Sequence, residues 1–272
     1  MSGRMIRGCL LRRLLPAVVL SMSAFHPAGA AVKGEPVEYK AGSTVMKGYV
    51  AYDDATKGKR PGVLVVHEWW GHNEHARAVA RKLAEAGYVA LAVDMYGDGK
   101  TAAHPQDAGA FSGEVMKNMS LMQERFAAAR SALIKQPNVD SKRIAAFGYC
   151  FGGSVVLARA RQGEDLRAVA VFHAGLATET PAQKGKIKSK VLVLTGAADP
   201  WVDSAQIAAF EQEMKAAGVD HRVVSYPGAT HGFTNPEATA LGQKFNIPIA
   251  YNAEADQKSW AEAQAFLQRV LK

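Results

Sequence analysis

Gly148-Tyr149-Cys150-Phe151-Gly152 follows directly on the strand-like run Arg143-Ile144-Ala145-Ala146-Phe147. It leads into Gly153 to Ala160 (GSVVLARA), a segment of helical composition. A strand that enters G-x-nucleophile-x-G and leaves as a helix is a nucleophile elbow, with cysteine here in the place serine usually takes. The flanking glycines fit a turn too tight for side chains, around a nucleophile with a strained backbone. A buried cysteine in a glycine-rich turn would read the same in isolation, so the rest of the chain has to decide.

Outward from the elbow, strand-like and helical segments alternate. Val37–Ala41 and Val45–Tyr52 suggest an N-terminal hairpin. Apolar runs follow at Val63–Val66, Val89–Val93, Ile144–Phe147, Ala168–Phe172, Val191–Leu194 and Arg222–Tyr226. Helical patterns fill the gaps at Glu74–Ala86, Gly113–Lys135, Gly153–Ala160 and Asp203–Ala217, and a terminal helix contains Trp260–Leu271. Continuous apolar strands separated by helices predict an α/β fold with a mostly parallel central sheet and helices on both faces. Function then belongs at the carboxyl ends of the strands. No repeat or linker divides residues 31–272, which read as one domain.

The first 30 residues read as a cleaved secretory signal. Arg4, Arg7, Arg12 and Arg13 form a basic start, Leu14 to Phe25 an apolar stretch too short for a membrane span, and Ala28-Gly29-Ala30 a cleavage site. The expected product is exported, periplasmic or secreted, with no stable membrane anchor. The Arg12-Arg13 pair leaves Sec and twin-arginine routes open. The chain carries 33 basic and 25 acidic residues; four of the basic and none of the acidic ones precede Ala31, so the remainder carries +4. With no basic run interleaved with aromatics, nucleic-acid binding gains no support. Cys9 leaves with the signal, and Cys150 becomes the only thiol, a candidate reactive group.

Two further residues complete a nucleophile–acid–base order of the kind α/β-hydrolases use. Asp199 lies in Thr195-Gly196-Ala197-Ala198-Asp199-Pro200, just past the run Val191–Leu194. His231 lies in Pro227-Gly228-Ala229-Thr230-His231-Gly232-Phe233, just past Tyr226. Such chemistry needs a base to take the thiol proton and a carboxylate to orient that base. Asp203 competes with Asp199 and would otherwise cap the helix that follows it.

His67-Glu68-Trp69-Trp70-Gly71-His72 leaves the run Val63–Val66. Its histidines are five apart on a strand exit, not four apart on a helix, so no zinc-protease site is expected. His67, His72 and His75 read as structural or rim residues. The loop suits an oxyanion donor, which assigns that role to the backbone N–H groups of Trp69 and Phe151.

From about Glu35 to the C-terminus the chain resembles the dienelactone hydrolase (carboxymethylenebutenolidase) family. The resemblance rests on H-E-W-W-G-H-N at 67–73, A-G-Y-V-A-L-A-V-D-M-Y-G at 86–97, G-Y-C-F-G-G at 148–153, G-A-A-D-P-W at 196–201 and G-A-T-H-G-F at 228–233. It implies an α/β-hydrolase fold, a Cys150–His231–Asp199 triad, no cofactor or metal, and a small ester or lactone as substrate. It also implies that Glu68 helps control ionisation of the thiol. Members acting on dienelactone are expected to hold its carboxylate with arginines, yet the two corresponding places here offer Asp98 and Thr234-Asn235. An uncharged substrate is therefore expected, in a pocket lined by Trp70, Tyr96, Phe233 and Asn235. Trp69, Phe151 and Trp201 are further candidates, with core packing the competing role of Trp201. A peroxide-reducing thiol protein and a non-catalytic binding protein are the alternative readings. The lack of a resolving cysteine opposes the first, the complete triad the second.

Overall fold

The computed structural model describes residue 1 and residues 32 to 272. Apart from Met1, the expected export segment lies outside the described residues. Eight strands form one sheet: β1 (Val32–Ala41), β2 (Thr44–Asp53), β3 (Arg60–Val66), β4 (Val89–Val93), β5 (Val139–Tyr149), β6 (Ala168–Phe172), β7 (Lys190–Gly196) and β8 (His221–Tyr226). Their order is β1-β2-β4-β3-β5-β6-β7-β8. The hairpin β1–β2 and the β2–β4 pair are antiparallel, and the other pairs are parallel.

Parallel strands need crossovers, and helices supply all but the one from β6 to β7. These are α1 (Glu74–Glu85), α2 (Pro105–Lys117), α3 (Met119–Ile134), α4 (Phe151–Arg161) and α5 (Ser204–Ala217), with α6 (Ala238–Phe245) and α7 (Ala253–Val270) after β8. Alternate residues of β3 serve opposite layers, as pleating requires. Val63 and Val65 pack with Leu83 of α1 and Phe266 of α7. Leu64 and Val66 pack with Phe126 of α3 and Val155 of α4. All four β3 residues are apolar because both faces are covered. Fully burying each large side chain contributes about 1.5–3 kcal/mol relative to leaving it exposed.

Two features differ from expectation. The single helix over Gly113–Lys135 is two helices, α2 and α3. Asn118 sits between them at φ −123° and ψ 90°, outside helical space, and its side chain accepts the N–H of Leu121 at 3.0 Å. The side chain of Asn118 thus restarts the helix as a cap. The short α6 was not anticipated, whereas α7 contains Trp260 as expected and ends with Leu271 as its cap. No described helix is long and apolar enough to cross a membrane.

Candidate active site

Cys150 stands between β5 and α4 with φ 53° and ψ −119°. Few side-chain-bearing residues adopt that backbone, and it persists only where the surroundings enforce it. The surroundings here are specific. Cys150 N–H donates to Phe172 O at 3.0 Å, its carbonyl accepts Gly153 N–H at 3.0 Å, and Gly152 N–H donates to His67 O at 3.1 Å. A Cβ on Gly148 would collide with the Gly152 carbonyl, and one on Gly152 with the Val66 carbonyl. The two glycines of the motif let three backbones close around Cys150.

Asp199 and His231 come from loops after neighbouring strands β7 and β8, and backbone bonds lash those loops together. Ala197 N–H donates to Tyr226 O at 2.8 Å and Ala198 N–H to Ala229 O at 2.9 Å. Asp199 Oδ2 and His231 Nδ1 are 2.8 Å apart, while Asp199 Oδ1 accepts Trp201 N–H at 2.9 Å. Asp203 instead caps α5, its side chain accepting Gln206 N–H at 2.8 Å. His231 Nε2 is buried and has no hydrogen bond among the described residues. Burial alone would depress this imidazole, but negative charge on Cys150, then the bond to Asp199, outweigh it and lift the group to about 10.

Glu68 leaves β3 into the same site. It is buried, and its Oε2 accepts Asn235 Nδ2–H at 2.6 Å. Burial pushes its carboxyl up to about 7 against the lowering pull of Asn235 and His231. Glu68 is thus poised between its two protonation states at neutral pH. The N–H groups of Trp69 and Phe151 make no hydrogen bond among the described residues. Phe151 opens α4, where the helix N-terminus favours negative charge.

Cys150, His231 and Glu68 line a cavity of about 390 Å³ walled by Trp69, Trp70, Phe151, Met116, Trp201 and Ile249. Its further polar side chains are Ser112 and Ser154, and no lysine or arginine lines it. Of the expected pocket residues Trp70, Tyr96, Phe233 and Asn235, only Trp70 is on this wall, together with the further candidates Trp69, Phe151 and Trp201. Tyr96 lies behind it, its ring against Phe151 and its hydroxyl donating to Trp69 O at 2.9 Å. Phe233 is fully buried against His173 and Tyr226. Asn235 is turned to Glu68. Asp98 is exposed and absent from the wall, so it does not repel anything there. Trp201 is 44% exposed at the pocket rim, its ring edge-on to His231 at 4.7 Å, and is not a core residue.

His67 is structural: Nδ1 lies 2.5 Å from Glu68 O, and Nε2 accepts Met95 N–H at 3.2 Å. The sequence reading missed His173. Fully buried at the end of β6 with φ 40°, it meets His231 at 5.1 Å between ring centroids and bonds Thr234 Oγ1 through Nε2 at 2.9 Å. Burial holds its imidazole well below the usual histidine range, so it packs as a neutral ring. Its place just past a parallel strand was the available signal.

A sheet of this order with a strained cysteine on the exit of β5, an aspartate on that of β7 and a histidine on that of β8 has the layout of an α/β-hydrolase. The dienelactone hydrolase family model matches residues 46–271. The chain belongs to the dienelactone hydrolase family and is a hydrolase acting on carboxylic ester or lactone bonds. It is similar to Protein usf of Aquifex pyrophilus, 30% identical over 80% of this chain and 95% of that one. A protein of Aquifex aeolicus (strain VF5) named as a candidate carboxymethylenebutenolidase is 26% identical over 88% of this chain and 100% of its own length. Among solved structures, a dienelactone hydrolase-like promiscuous phosphotriesterase from metagenomic libraries has 35% identity and a TM-score of 0.82, covering 89% of this chain and 99% of that one.

Proposed function

We propose that the protein cleaves an uncharged ester or lactone through a cysteinyl thioester, with Cys150, His231 and Asp199 as the triad. The observation that carries this is the hydrogen bond that His231 Nδ1–H donates to Asp199, which leaves the buried Nε2 for the Cys150 side of the ring. His231 takes the thiol proton, and the sulfur attacks the carbonyl carbon. The N–H groups of Trp69 and Phe151 hold the resulting oxyanion, an arrangement in which losing one donor typically costs roughly 3–4 kcal/mol. His231 then protonates the departing alkoxide, leaving the acyl group on sulfur. Water, deprotonated by His231, attacks the thioester; the acid departs and the thiol regains its proton. Glu68 serves as a positioning and charge-controlling residue beside this chemistry.

The pocket wall argues for substrate charge. A carboxylate-bearing lactone needs a cationic partner, and a bidentate arginine is the usual one. With no cation on the wall and Trp69, Trp70 and Trp201 around the nucleophile, neutral aryl esters or lactones fit better. The phosphotriesterase relative makes neutral phosphotriesters a second class for the same test. We expect higher kcat/KM for phenyl acetate than for dienelactone at one pH and ionic strength, and a Cys150-bound acyl group by intact mass. Preferential turnover of dienelactone would overturn the substrate assignment; full turnover by Cys150→Ala would overturn the mechanism. We further propose export with removal of residues 1 to about 30. The mature N-terminus should be found near Ala31, and a full-length chain held in the membrane would contradict this.

A further inference from the structure

Tyr149 and Cys150 are neighbours in sequence, yet each lines a different cavity, and the two cavities share no residue. The cavity on the Tyr149 side holds about 250 Å³, a little below the ~300 Å³ at which drug-sized sites begin. Its inner side is aromatic: Tyr149 and Phe172 stack at 4.4 Å, and Trp260 adds a third ring. His75 of α1 also lines it, edge-on to Tyr149 at 5.5 Å, with a buried Nε2 that has no hydrogen bond among the described residues. A buried polar atom without a partner is destabilising unless something satisfies it.

The charges of this second cavity are lopsided. Three carboxylates, Glu74, Glu237 and Asp256, face one ammonium, Lys82. Glu74 is paired with Arg81, and Lys82 lies over the Trp260 ring at 4.5 Å and near enough to Asp256 to oppose in part the burial that raises its carboxyl. Glu237 has no salt bridge among the described residues. We propose that this cavity is a second ligand site, separate from the catalytic pocket, that takes a small aromatic amine. The ring lies among Tyr149, Phe172 and Trp260, and the ammonium satisfies His75 Nε2 and Glu237. Neutral His75 suits the role, since burial, helped by Lys82, pushes its imidazole down to about 4.

The amide of Asn235 joins the site to the catalytic one. Asn235 lines the second cavity, and its amide holds Glu68, which lines the first. The charge of Glu237 also adds to the upward push on Glu68. An ammonium beside Glu237 would offset that push, so an occupied site favours ionised Glu68. Occupancy would then be felt at the thiol without touching the substrate.

The test is calorimetric and needs no turnover. 2-Phenylethylamine is titrated into the full chain, before and after Cys150 is alkylated with iodoacetamide. Saturable one-to-one binding should survive alkylation unchanged. Ala78→Leu, which fills the cavity from α1, should abolish it. Glu237→Gln, a change at an exposed residue, should weaken the amine about two- to fivefold, the range a solvent-facing ion pair supports, and leave 2-phenylethanol unaffected. No saturable binding, binding lost on alkylation, or amine and alcohol bound equally well would each overturn the proposal.

Discussion

The amide of Asn235 and the carboxylate of Glu68 are 167 residues apart in the chain and 2.6 Å apart in the fold. The contact gives the buried acid a hydrogen-bond donor but no positive charge, and burial therefore dominates its ionisation. A folded carboxyl near 7 against an ordinary value of 4.5 means the native state holds the extra proton between those limits. By linkage, stability falls as pH rises through that window. Glu68→Gln keeps an oxygen for Asn235 and removes the ionisation. Its stability relative to wild type should rise between pH 4 and pH 8 by up to about 3 kcal/mol, followed by urea unfolding. A gap that stays constant with pH would show that Glu68 ionises freely in the fold.

The imidazolium of His231 draws its largest support from negative charge on Cys150. Removing an anion disfavours a neighbouring cation, so Cys150→Ala should move the His231 titration down from about 10. Proton NMR of the histidine ring reads this directly. An unchanged titration would mean that Asp199 alone sustains the charge.

Triad members act as one unit, and their losses do not multiply. Cys150→Ala and His231→Ala should each remove most ester cleavage, with circular dichroism unchanged, and the double variant should be little worse than either. Multiplicative losses in single-turnover kinetics would separate the two residues.

The two acids after β7 should part cleanly. Asp203→Ala loses the cap of α5, with a stability cost of roughly 0.5–2 kcal/mol and turnover largely kept. Asp199→Ala leaves His231 Nδ1 without its partner and should lower kcat far more than it lowers the melting temperature. Equal kinetic effects would mean the acid had been misassigned.

What was legible in the sequence is what local pattern encodes. β4 and β6 occur at the residues their apolar runs mark, because strands covered on both faces contain nothing but core residues. Cys150, Asp199 and His231 were legible as candidates because each lies past the carboxyl end of a strand that the sequence marks. The pocket walls were not. Tyr96 and Phe233 are aromatic whether they line a cavity or sit beneath its wall, and only the tertiary packing decides. Trp201 went the other way, exposed because the Asp199 loop turns it over His231. The Asn118 break was hidden because α2 and α3 both have helical composition and meet at one residue.

The left-handed backbone of Cys150 has a consequence for how this enzyme can change. Non-glycine residues in such conformations hold of order 1–3 kcal/mol of strain. Glycine alone would relax it, and glycine has no sulfur. On the proposed mechanism the most comfortable residue at this position is a dead one, so selection for robustness alone would erode the catalyst. The cysteine is held in this conformation by its bonds to Phe172 and Gly153 and by the bond of Gly152 to His67, and on the proposed mechanism a lineage that loosened those contacts would be free to lose the chemistry with them.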